Sequence, residues 1–237
     1  VFDTYTDRVE ELWIVRADGT GQRRLISDGF RNRTPAWSKD GARILFFSDR
    51  SGAYESWVVR PDGSDLRQIT IDSHPHMQRG IWTADGRYVL SARAGGPPVL
   101  LDPQKLNRGP EQRLLSGLPS IPRLIFAYSD TKQGLTLMTA TAIEGTPEIL
   151  IHDRQREETY PTGIAGQEPR WLPPQGPIRE GRMFLFIRGA SCYLYDRDTG
   201  EERQLFSTAP RPIFQFNLRP RGRSIFYSKS VRDVSLW

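Results

Sequence analysis

Pro35-Ala36-Trp37-Ser38-Lys39-Asp40-Gly41, then Ile44-Leu45-Phe46-Phe47-Ser48-Asp49-Arg50-Ser51-Gly52, then Ser56-Trp57-Val58-Val59-Arg60-Pro61-Asp62-Gly63 read as three short strands separated by turns. Asp-Gly marks a turn because Asp tolerates the left-handed region and Gly enters it without a steric cost. The runs between the turns are rich in aromatic and aliphatic residues, as half-buried strands require. Leu66-Arg67-Gln68-Ile69-Thr70 adds a fourth strand with a broken apolar face. The stretch from about Thr34 to Thr70 is therefore a four-stranded antiparallel meander, which is the form of one propeller blade. We name its strands a to d.

Working outward, the phrase repeats. Glu11-Leu12-Trp13-Ile14-Val15-Arg16-Ala17-Asp18-Gly19 matches Glu55 to Gly63, and Gly80-Ile81-Trp82-Thr83-Ala84-Asp85-Gly86 echoes Pro35 to Gly41. Self-similarity on this scale means stacked units that bury their faces only against neighbours. The strand-a aromatic is expected at Trp37, Trp82, Tyr128 and Trp171, with Leu218 in the last unit. Because the position recurs, Trp37, Trp82 and Trp171 are expected to pack in the core or between blades rather than to stack on a ligand. The chain is expected to enter at strand b, near Phe2, and to leave at strand c, Val234-Ser235-Leu236-Trp237. The reading is an all-β chain, a six-bladed β-propeller with incomplete terminal blades. It is expected to form a single domain over residues 1–237, and to be a fragment of a longer protein because Val1 is not an initiator.

Composition narrows the function classes. The 237 residues carry a net charge of +5, with 29 arginines against 4 lysines, yet the cations are scattered among 28 acidic residues. No dense basic run supports nucleic-acid binding. No stretch reaches the roughly 20 apolar residues of a membrane helix, and no signal peptide is evident. The lone Cys192 allows no internal disulfide, and its alternating strand, Ser191-Cys192-Tyr193-Leu194-Tyr195, predicts a buried, inert thiol.

Catalytic patterns are sought and not met. Gly189-Ala190-Ser191-Cys192-Tyr193 lacks the second glycine of a nucleophile elbow, and no phosphate-cradling Gly-x-x-x-x-Gly-Lys loop occurs. His74, His76 and His152 are the three histidines. His74-Pro75-His76 is read as a d–a loop and His152 as an outward-facing residue at the end of strand c, so a metal set is not expected. No cofactor and no catalytic residue is assigned. The d–a loops and the starts of strand a supply Arg33, Arg79 and Arg123 with Glu168, beside His74 and His76. These are expected to frame one mouth of the channel and to attract an acidic peptide or protein by focusing the field. The alternative is that the arginines fold back on carboxylates at the blade edges.

The three quoted strands with their Asp-Gly turns resemble the WD40-like repeat of TolB-type propellers, strongly over residues 1–95 and in register to 237. The resemblance implies a six-bladed platform for protein interaction, in a periplasmic or otherwise extracytoplasmic setting. It also implies attachment to a larger bacterial regulatory or envelope protein, since similar propellers are appended to transmembrane regulators, kinases and prolyl oligopeptidase-type peptidases. Polysaccharide lyases on a related propeller use histidine-bound metal. The resemblance transfers no catalytic residue, and a monomer is expected.

Overall fold

The structure is a computed structural model. It describes all residues except 7–8, 17, 72–75, 94–95, 109–112, 115–123, 142–145, 219–224 and 230–237. Among the described residues none is helical, and none forms a helix long and apolar enough to cross a membrane. Contacts group the chain into two compact units, 1–127 and 128–237.

The first unit holds three blade sheets. β1 (Phe2–Thr6), β2 (Val9–Ile14) and β3 (Arg23–Ile26) form a three-stranded sheet of strands b, c and d. β4 (Asn32–Trp37), β5 (Ile44–Ser48), β6 (Glu55–Val59) and β7 (Arg67–Gln68) form the complete second blade. β8 (Thr70–Ile71) leaves that sheet. β9 (His76–Trp82), β10 (Val89–Arg93) and β11 (Gly96–Leu101) follow. Then β12 (Asn107–Arg108) pairs in parallel with β8, and β13 (Arg113–Leu114) completes the third blade. The β8–β12 pair was not legible in the sequence. It rests on Asn107, whose buried side-chain amide donates to the main-chain oxygen of Ile69 at 2.8 Å.

The second unit repeats the plan. β14 (Leu124–Asp130), β15 (Leu135–Thr141), β16 (Glu148–Asp153) and β17 (Glu158–Ala165) form one sheet. β18 (Gln167–Trp171), β19 (Met183–Arg188), β20 (Ser191–Asp196) and β21 (Glu201–Ser207) form the next. β22 (Ile213–Leu218) and β23 (Ile225–Lys229) make the last described pair. The expected entry at strand b is observed; the expected exit strand at Val234 lies outside the described residues.

Strand b explains the packing. Ile44, Leu45, Phe46 and Phe47 in β5, and Phe184, Leu185, Phe186 and Ile187 in β19, are all buried. A continuous apolar run between turns is the mark of a strand covered on both faces, as a blade between two others must be. In the first unit Leu45, Val58 and Ile69 of one blade meet Trp82, Val89 and Val99 of the next in a single apolar cluster. In the second, Leu137 and Ile149 meet Trp171, Phe184 and Phe186.

Two expectations are corrected. The bonds Ser38 N to Arg43 O and Thr83 N to Tyr88 O close the a–b turns, and Thr131 N to Leu135 O is their counterpart. That counterpart places Asp130, not Tyr128, at the register of Trp37 and Trp82. Asp130 is accommodated because Arg154 Nη2 donates to it at 2.7 Å and Thr136 Oγ1 donates at 2.7 Å. Second, Trp37 is not a core residue. Trp82 and Trp171 are 7% exposed, whereas Trp37 is 39% exposed. The indole of Trp82 donates to Ala36 O in strand a of the blade before it, at 3.0 Å, and Trp171 donates to Leu135 O at 2.9 Å.

Candidate functional site

Two of the four non-glycine residues held at positive φ among the described residues lie at the starts of a strands. Thr34 (φ 50°) and Glu168 (φ 54°) hold left-handed backbone inside strands, an unfavourable state for residues with a Cβ. Both stand three residues before the tryptophan, both precede proline (Pro35 and Pro169), and both mark a bulge in the pairing to strand b. A bulge re-aims side chains where a ladder would otherwise alternate. Arg79 occupies the corresponding position before Trp82, in a segment of β9 where the register with β10 also shifts.

Around this point in the second blade, charge is tightly organised. The Arg33 guanidinium grips Glu10 through both Nε and Nη2, the latter at 2.6 Å, and lies 5.1 Å over the Tyr54 ring. Glu10 is 5% exposed, so its charge depends on that partner. Arg50 is covered by Trp57 at 4.8 Å, Phe46 at 5.4 Å and Phe30 at 5.9 Å. Its guanidinium reaches Asn32 Oδ1 at 2.7 Å and Asp28 at 2.9 Å, which ties the d–a loop to the turn after β5. Burial pulls the Arg50 guanidinium below its ordinary pKa, against the opposing pull of Asp28 and Asp49. In the second unit Glu168, 3% exposed, accepts from Arg170 at 3.0 Å.

The sequence candidates divide accordingly. Arg33 lies at the start of β4 but is folded onto a carboxylate. Arg33 and Arg79 differ by one register position, four and three residues before their tryptophans. His76 and Arg79 lie in β9, so the d–a loop is shorter than the sequence reading had it. His74 and Arg123 lie outside the described residues. His152 is corrected: it pairs across from Thr136 as Val59 does from Ile44. It is therefore buried, 1% exposed, with Nδ1 3.0 Å from Thr159 Oγ1. Burial, helped by Arg154, holds its imidazole below the usual histidine pKa. Cys192 is buried as expected, and burial pushes its thiol up to about 11. Among the described residues no three His, Cys, Asp or Glu side chains gather as a metal-ligand set. Arg33 thus follows the alternative reading, in which it folds back on a carboxylate; that the carboxylate is Glu10 was not legible because the pair joins strands of two different blades, 23 residues apart in the chain.

No protein-family model matches the chain. It is 32% identical over 98 residues to dipeptidyl-peptidase 5 of Porphyromonas endodontalis, across 38% of this chain and 14% of that protein. The aligned region is thus a small part of that relative. Among solved structures, a putative TolB from Agrobacterium tumefaciens superposes with a TM-score of 0.74 at 13% identity, over 94% of this chain and 79% of that one. An oligogalacturonate lyase in complex with manganese gives 0.66 at 11% identity, over 98% and 68%. At such identities the likeness speaks for fold. The all-β sheets, their meander order and these superpositions agree: the chain has the TolB-type β-propeller fold.

Proposed function

We propose that the chain is a non-catalytic binding module of a larger bacterial protein, acting outside the cytoplasm, and that it engages a protein or peptide partner through the starts of its a strands. The observation that carries this reading is the left-handed backbone of Thr34 and Glu168 at one repeat position in two blades. Backbone strain that recurs at one repeat position is held in place by its surroundings, and such strain clusters at functional sites. Loops and strand starts on a rigid scaffold are the usual seat of binding. Arg79, at the same position in the third blade, and Arg123 favour a partner with acidic groups, whose approach would weaken with salt. Arg33 contributes through Glu10 and Tyr54 rather than as a free cation.

The test is site-specific photo-crosslinking in producing cells, from Arg79 and, as a control, from Leu205 on the outer strand β21. The reading expects a defined crosslinked partner from position 79 and none from 205. It also expects Arg79→Glu with Arg123→Glu to slow association at low salt. Crosslinks from 205 alone would move the interface to the outer blade edges.

A second reading follows from the similarity to dipeptidyl-peptidase 5: the propeller gates a peptidase domain elsewhere in the full-length protein. A Gly-x-Ser-x-Gly domain in the flanking sequence would favour it. A membrane helix with a kinase or DNA-binding segment would favour the interaction module.

A further inference from the structure

At the opposite end of the second blade, three guanidinium groups converge on one carboxylate oxygen. Arg60 Nε lies 3.6 Å, Arg43 Nη2 3.8 Å and Arg67 Nη2 3.8 Å from Asp65 Oδ2. These are distances of attraction, too long for direct hydrogen bonds. Arg67 also donates to Gln104 Oε1 at 3.3 Å, while its Nε is buried without any partner. Three guanidiniums bring fifteen N–H donors, and one carboxylate beyond bonding range satisfies few of them. Two neighbouring carboxylates, Asp40 and Asp62, feel the charges of Arg43 and Arg60 respectively and engage their own turns through Oδ1. Asp40 accepts from Ser38 Oγ and Ala42 N, and Asp62 from Ser64 N and Oγ. Asp65 itself is held with φ 53°, left-handed backbone for a residue with a Cβ. A recess of about 150 Å³ opens on the Arg43 side, lined by Arg43, Asp40 and Gln104 and walled by Trp82 and Pro103; Arg60, Arg67 and Asp65 are not in its lining.

The repeat supplies an internal control. Arg43 enters strand b; the same position holds Tyr88, Leu135 and Met183 in the next three blades, as the a–b turn bonds show. Arg60 leaves strand c; its counterparts, each following the partner of the same strand-b residue, are Asp102, Asp153 and Asp196. Arg43 thus has no cationic counterpart in the next three blades, whereas Arg16 stands at the Arg60 position of the first blade, and Arg23, Arg113 and Arg203 stand at the Arg67 position of the first, third and fifth. What distinguishes this blade from the three that follow it is Arg43 joining the other two at Asp65.

We propose that Arg43, Arg60 and Arg67 form a binding site for a phosphate group, with Asp65 as the internal counter-charge that keeps the three arginines together when the site is free. A carboxylate offers two oxygens and already fails to reach any of the three. A phosphate offers three terminal oxygens directed to different sides, which suits donors arriving from strands b, c and d. Inorganic phosphate and a phosphomonoester share this chemistry. The site lies at the far end of the strands from the proposed partner surface and is independent of it.

The experiment is calorimetric titration of the chain with inorganic phosphate, glycerol phosphate and acetate at matched low ionic strength. In parallel, the arginine Nε–H resonances are followed by NMR. The proposal expects saturable one-to-one binding of phosphate or glycerol phosphate, a shift of the Arg67 Nε–H signal, and no comparable response to acetate. Saturation by glycerol phosphate would identify an esterified group as an acceptable ligand; saturation by inorganic phosphate alone would restrict the site to the free ion. Arg60→Gln, at the most exposed of the three, should weaken binding about tenfold, the scale of one charge-assisted hydrogen bond. Asp65→Asn should preserve or tighten it by removing the competitor. Equal responses to phosphate and acetate, or unchanged phosphate affinity in folded Arg60→Gln and Arg67→Gln, would overturn the proposal and leave a structural ion cluster.

Discussion

The second blade, β4 to β7, and the fifth, β18 to β21, are built on one plan and differ in what they leave uncovered. Both start with a bulge before proline, both bury strand b on two faces, and both place a tryptophan at the end of strand a. In the fifth blade that tryptophan is buried, makes an edge-to-face contact with Phe184 at 5.6 Å and donates to the preceding sheet. In the second it is open to solvent. The strand-c exit is acidic in the fifth, where Asp196 is paired with Arg182 at 2.7 Å. In the second it is basic, at Arg60. What the two blades share is the fold; where they part, the residues are free to take on other work. Each difference can be broken by mutation.

The largest effect is expected at the tryptophans. Trp82→Ala or Trp171→Ala should lose about 3–5 kcal/mol of stability, the cost of a large cavity in a packed core. Trp37→Ala should lose less than about 1 kcal/mol, because little buried area is removed. Denaturant unfolding of the three variants would settle it, and equal losses would erase the distinction. The buried pairs come next. Arg33→Met should cost about 3–5 kcal/mol by leaving Glu10 buried and unpaired, whereas the double change with Glu10→Leu should recover much of that loss. A smaller loss for Arg33→Met than for the double variant would show that the pair is dispensable.

A smaller effect is expected from pH. His152 has its folded pKa below its ordinary value, so the unfolded chain binds the proton more readily. Stability contributed by the neutral, buried ring is present above about pH 6.5 and falls as the pH drops toward the folded value. The slope is at most about 1.4 kcal/mol per pH unit for one proton. His152→Gln should flatten stability against pH between 7 and 5; an unchanged slope would assign it to other groups. The smallest signal is chemical: Cys192 should react with a thiol reagent only as fast as the blade opens, and addition of denaturant should release it.

Much of the plan was legible from the chain. The Asp-Gly turns, the strand-b runs and the inert Cys192 follow from local chemistry, because turn residues and apolar runs report on their immediate neighbours. The misreadings share one cause. Tyr128 looked like the aromatic of its blade, but the turn bond from Thr131 to Leu135 shifts the register by two and installs Asp130. His152 looked like an exposed strand end until its pairing with Thr136 turned it inward. A one-residue slip, as at His152, reverses the face of a side chain, whereas the two-residue slip at Tyr128 keeps the face and changes the position; register is set by cross-strand bonds that spacing alone does not reveal.

By itself the sequence determined the repeat, the strand order within each blade, the turns and the identity of the core-forming runs, since these depend on residues adjacent in the chain. Only the tertiary structure decided which tryptophans are covered, that Arg33 is bound to Glu10, and that Arg43, Arg60 and Arg67 surround one oxygen of Asp65. Those outcomes depend on what a neighbouring strand or blade places within a few ångströms, and Coulomb attraction and burial are set by that distance in space rather than by separation along the chain.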